Sequence, residues 1–132
     1  MLSTHLLKVG ACALCIGLSG CERGVSFADD VQPILQSSCV QCHDKSAEGY
    51  VASGFSLEDY ESVMKGTNFG AVVVPNSSMS STLYLVVAHK TDPAIHMPPH
   101  HDKALAEGRG LSLTDEQIEM IAAWIDQGAK NN

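Results

Sequence analysis

The chain has 132 residues, with 8 basic against 15 acidic side chains and a formal net charge of −7. That length suits one domain, and the acidic balance argues against nucleic acid as a partner, because phosphate binding needs a basic surface. Aromatic residues are 5% of the chain, thin for a core of this size, and no apolar run reaches the roughly 20 residues that span a bilayer as a helix.

The N-terminal segment reads as a targeting signal. Lys8 gives a weakly positive start, and Val9 to Leu18 forms an apolar run of signal-peptide length. The run ends in Leu18-Ser19-Gly20-Cys21, which resembles a bacterial lipobox: small residues immediately before a cysteine. The expectation is a signal peptide over residues 1–20, lipid on Cys21, and a short tether over 21–25. An ordinary signal peptide cut nearby, or an uncleaved anchor, is the alternative. This reading puts the chain at the bacterial cell envelope, lipid-anchored and facing the periplasm, with inner or outer membrane undecided.

Residues 26–130 are the expected folded domain. Ser26 is a helix cap, Asp29 and Asp30 suit a first turn, and Phe27, Val31, Ile34 and Leu35 share one helical face. Pro33 predicts either a helix that begins beside it or an irregular first turn. Next comes Cys39-Val40-Gln41-Cys42-His43, a C-x-x-C-H haem attachment site. Two thiols one helical turn apart reach both vinyl groups on one porphyrin edge, and the adjacent histidine is placed to bind iron through Nε2. A zinc half-site needs a second ligand pair, which the sequence lacks, and a thioredoxin-like site needs a βαβ context. The other cysteines are accounted for: Cys12 and Cys15 lie in the signal run, and Cys21 takes the lipid.

Residues 44–55 read as polar loop. Ser56 and the acidic pair after Leu57 predict a helix over 57–65, stopped by Gly66. Residues 66–80 read as a second loop around Ala71–Val74, and Ser80 or Ser81 caps a helix through Leu83, Leu85, Val86 and Val87. Residues 90–111 form a long segment rich in Pro, His and Gly, of a length usually tied to function. The last helix has a capping box at Thr114–Gln117, an apolar stripe of Ile118, Ile121, Ala122 and Ile125 beside Trp124, and a stop at Gly128.

A haem iron bound by one histidine has a second axial position. Met64 and Met120 fall within helices as core filler, and Met79 lies in a serine-rich turn. Met97 stands 54 residues after His43 and is followed by Pro98-Pro99, which fix an extended backbone without donors. Its thioether is a soft neutral ligand. Met97 is the expected sixth ligand; a nearby histidine or an open site is the alternative. His89, His96, His100 and His101 have no assigned role, and the His100-His101 pair lacks the further ligands of a separate metal site.

From Phe27 to Ala129 the chain resembles the planctomycete-type cytochrome c domain. The resemblance rests on Asp30-Val31-Gln32-Pro33-Ile34-Leu35, the C-x-x-C-H motif, Val74-Pro75, Thr91-Asp92-Pro93, Met97-Pro98-Pro99, Leu113–Ile118 and Trp124–Ala129. It departs at Asp44, where glycine often follows the motif, and at His100-His101. The resemblance implies an all-α, cytochrome c-like fold of about four short helices around one covalent haem c, with first and last helices packed together. It implies attachment at Cys39 and Cys42, with His43 and Met97 as axial ligands. The functional expectation is a one-electron carrier at the membrane surface, not an enzyme, working with redox partner proteins. A peroxidase-like haem enzyme or a gas or redox sensor is the alternative.

Overall fold

The computed structural model describes residues 23–99, 106, 108 and 111–132. The signal peptide, the lipidation site Cys21, and His100 and His101 lie outside the described residues. Among the described residues there are six α-helices and no strand: α1 Gln32–Ser38, α2 Val40–His43, α3 Glu48–Ser53, α4 Tyr60–Lys65, α5 Thr82–Val87 and α6 Asp115–Asp126. The all-α expectation holds, with two helices more than the four expected. None of the described helices is long and apolar enough to cross a membrane.

Pro33 leaves its mark on the first helix. Residues Phe27–Val31 form a π-helical turn, and regular α-helix begins at Gln32 with proline in its first turn. Ser26 caps the entry by accepting a hydrogen bond from Asp29 N at 3.1 Å. This first segment packs on α6. Phe27 sits 5.3 Å from the Trp124 ring and edge-on to Tyr60 at 5.2 Å. The chain ends close beside it, where Ala28 N donates to Asn132 O at 3.0 Å. Trp124 Nε1 donates to Lys130 O and Tyr60 Oη to Ala129 O, so the polar handles of both rings are satisfied.

α6 starts at the Thr114–Gln117 capping box, complete in both directions. Ile121, Trp124 and Ile125 are buried, while Ile118 and Met120 pack partly against the core. α5 begins after Ser81, but not through a side-chain cap. The Ser81 hydroxyl, fully buried, instead donates to Ser77 O at 2.8 Å and accepts from Val74 N at 2.8 Å. It thereby holds the Ala71–Val74 stretch against the helix, aided by Leu83 N donating to Val72 O. Asp126 accepts from both Ser78 N and Ser78 Oγ, tying the Ser78–Ser80 turn that precedes α5 to the end of α6.

Two further local expectations fail. The helix expected from Leu57 begins at Tyr60 and is capped by Asp59, which accepts from Ser62 N at 2.8 Å; Ser56 turns its hydroxyl to the Glu58 carboxylate instead. Residues Glu48–Ser53, read as loop, form α3. Glu48 in its first turn and Gly54 in the left-handed conformation at its end (φ 71°) are its start and stop signals. They punctuate a run too short for any periodicity to register.

A haem-sized cavity between two segments of the chain

The C-x-x-C-H motif is a single helical turn. Cys42 N and His43 N both donate to Cys39 O at 3.0 Å, and Asp44 N donates to Val40 O. Cys39 and Cys42 therefore lie one turn apart, on the same side as the cavity they line. No disulfide joins them. Burial pushes the Cys39 thiol up to about 12, with the neighbouring Cys42 adding to the shift. This thiol is held protonated, as an unreacted attachment site in an apolar wall is expected to be.

His43 is oriented from three directions. Its Nδ1 lies 3.1 Å from the Phe55 carbonyl oxygen. A carbonyl only accepts, so Nδ1 carries the proton and Nε2 keeps its lone pair. That tautomer is the one an iron ligand requires. The Phe55 ring stands edge-on at 5.8 Å from the imidazole, and Leu57 N donates to His43 O at 2.9 Å.

The cavity measures about 450 Å³, within the range of cofactor sites. Phe55, Leu57, Val72, Leu83 and Val87 form its floor, and all five are buried in the core. Met97 lines the same cavity from a separate stretch of chain. Its N–H donates to Val86 O at 3.2 Å, which hangs the Met97-Pro98-Pro99 segment on the end of α5. The structure thus brings Cys39, Cys42, His43 and Met97 to one apolar space. Its size, its apolar wall, the unbridged cysteines and the Nδ1-protonated histidine all fit a covalently bound haem.

Met64 and Met120 pack partly against the core, and Met79 is exposed. His89 and His96 lie outside the cavity wall and stack on each other, ring centroids 4.4 Å apart and 7° from parallel. His96 Nε2 sits 3.0 Å from Thr91 O, which bends the loop before Met97 back on itself. Among the described residues no group of His, Cys, Asp and Glu is arranged to hold a separate metal ion. The residues that sequence reasoning missed are Gly49, Ser53 and Phe55, because they belong to the segment read as featureless loop.

Residues 39–101 match the family model described as Planctomycete cytochrome C. The chain is 28% identical over 127 residues to hydrazine synthase subunit alpha of Kuenenia stuttgartiensis, covering 83% of this chain and 16% of that protein. A solved structure of Kuenenia stuttgartiensis hydrazine synthase superposes with a TM-score of 0.52 at 26% identity, over 81% of this chain and 16% of the other. The chain therefore spans about one sixth of the length of the relative it resembles. This corrects one expectation. The relative is a subunit of an enzyme, so the reading of the chain as a protein outside catalysis does not stand. Fold, attachment turn and cavity all agree with the match of residues 39–101 to the Planctomycete cytochrome C model, and what the chain resembles is a haem-binding cytochrome.

Proposed function

We propose that the chain holds one haem c on Cys39 and Cys42, with His43 and Met97 as its axial ligands, and passes single electrons through it. What carries the reading is the convergence of these four residues, from two separate stretches of chain, on one apolar cavity. A bound haem supplies iron that exchanges one electron between its ferric and ferrous forms. The protein's part follows from its side chains. The Phe55 carbonyl fixes the His43 ring so that Nε2 faces a ligand position. Met97 offers a soft, neutral sulfur that favours ferrous iron and raises the potential. Phe55, Leu57, Val72, Leu83 and Val87 keep water from the space between.

The likeness to a hydrazine synthase subunit supports a setting in enzymatic redox chemistry. We place this chain's electrons in the service of such turnover, delivered to or taken from a redox partner protein. Lipid on Cys21 tethers it to the envelope membrane on the periplasmic side. A second reading follows from the same relative: Met97 yields its position and substrate reacts at the haem.

The test is covalent retention. Purified protein denatured and extracted with acid–acetone keeps one haem per chain by mass; Cys39→Ala or Cys42→Ala weakens retention and the double variant loses it. Stoichiometric zinc with extractable or absent haem ends this reading. Turnover of peroxide by the parent chain moves the account to the second.

A further inference from the structure

Gly49 occupies the second position of α3 and is half-buried. A Cβ placed on it falls 2.5 Å from the Cys42 carbonyl oxygen, 2.9 Å from His43 Cε1 and 3.0 Å from His43 Nε2. Contacts this short do not occur at rest, and the nearest atom belongs to the backbone of the attachment turn, which cannot swing aside alone. The helix itself gains nothing from glycine here. Its backbone is not left-handed, and alanine is the better helix former. What glycine contributes is room for the imidazole.

The same turn of helix reaches the other side of the ring. Gly49 O accepts from Ser53 Oγ at 2.6 Å, and Ser53 Oγ accepts from Phe55 N at 3.2 Å. Phe55 O in turn accepts from His43 Nδ1 at 3.1 Å. α3 therefore touches the Cε1–Nε2 edge through bare Gly49 and anchors the acceptor at Nδ1 through Ser53.

Building on the haem reading above, we propose that Gly49 is a positioning residue for His43: its missing side chain lets α3 close on the imidazole edge and sets the angle at which Nε2 meets the haem. A side chain at 49 lifts α3 or rotates the ring, and either movement pulls Nδ1 from the Phe55 carbonyl.

The test uses the full haem-loaded chain in its reduced state. In the parent, nuclear magnetic resonance shows a through-space contact between Gly49 Hα and His43 Hε1. Gly49→Ala lowers the unfolding midpoint, shifts the reduction potential, and speeds hydrogen exchange at His43 Nδ1 about five- to tenfold, the loss of one ordinary hydrogen bond. Ala52→Gly, on the exposed side of the same helix, lowers the midpoint as well but leaves exchange and potential at parent values. The proposal is overturned if Gly49→Ala raises the midpoint, as helix propensity alone dictates, and leaves the ring undisturbed. It is overturned too if Ala52→Gly moves exchange and potential as far as Gly49→Ala does. Should Gly49→Ala yield no haem-loaded protein, the parent contact decides: present, it supports the proposal, and absent, it ends it. A parent without covalent haem defeats the haem reading and this proposal together.

Discussion

His43 and Met97 line one cavity, yet the two are held by different means. The His43 ring has a directional hydrogen bond to Phe55 O, an aromatic edge beside it, and a backbone tied to Leu57 N. The Met97 side chain has packing alone; only its backbone is pinned, through Val86 O. A planar ring with one protonated nitrogen has a single productive orientation, and a hydrogen bond can select it. A thioether with three rotatable bonds has no polar handle and takes whatever position packing and the two prolines leave it. The cavity thus has one fixed wall and one adjustable wall. A carrier uses the adjustable side to set its potential, and an enzyme uses it to admit substrate.

Removing each proposed axial ligand in turn gives the largest expected effect. His43→Ala leaves the thioether attachments possible but takes away the fixed ligand. The haem-loaded chain then shows high-spin or mixed ligation and a collapsed yield, read by optical spectrum and haem per chain. Met97→Ala keeps haem content near the parent level, opens the iron to carbon monoxide and lowers the potential. Equal losses of haem from both variants break the asymmetry.

A second pair sharpens the contrast within the wall. Phe55 is 7% exposed and touches His43, whereas Ile95, on the methionine side, is 49% exposed. Phe55→Ala costs about 3–5 kcal/mol in denaturant unfolding of the haem-loaded chain. Ile95→Ala costs less, about 1 kcal/mol.

Alkaline pH separates the haem-free from the haem-loaded chain. Folding raises the Cys39 pKa to about 12, above the roughly 8.5 of an unfolded thiol. The stability this neutral thiol contributes is fully present below the unfolded value and is lost as pH climbs toward 12. The unfolding midpoint of the haem-free chain falls over that window, and Cys39→Ala flattens the fall. Haem attachment turns the thiol into a thioether with no proton to lose, so the loaded chain lacks this slope.

The smallest effect is at acid pH. Hydrogen bonds from the Ser46 hydroxyl and N–H hold Asp44 below the usual carboxylate range, and those from Ser62 do the same for Asp59. Their contributions are present above about pH 4 and disappear as pH falls through the depressed values. Asp59→Asn reduces the acid dependence of unfolding slightly, since both groups are exposed to solvent screening.

The legible part of this molecule is the part whose residues are rare or periodic. Cysteine pairs followed by histidine are uncommon, so the attachment turn stands out. Thr114 and Gln117 announce α6, and the stripe after them spans three turns. Met97 is marked by the prolines behind it. The support of His43 is illegible for an opposite reason: it is made by a backbone carbonyl, a serine and a glycine. The Phe55 carbonyl is common to every residue type, and α3 is six residues long, shorter than two turns of any pattern. The cap of α4 is ambiguous from sequence, since Ser56 and Asp59 are both good caps and only tertiary packing chooses between them.

One measurement bears most directly on the claim that His43 and Met97 flank a single haem c: the optical spectrum of the purified, haem-loaded chain in both oxidation states, with and without carbon monoxide. The account predicts a weak sulfur-to-iron charge-transfer band in the ferric protein that disappears in Met97→Ala, and a ferrous spectrum that carbon monoxide leaves unchanged in the parent. A parent that lacks the band and binds carbon monoxide at once contradicts it, because the methionine wall would then stand open.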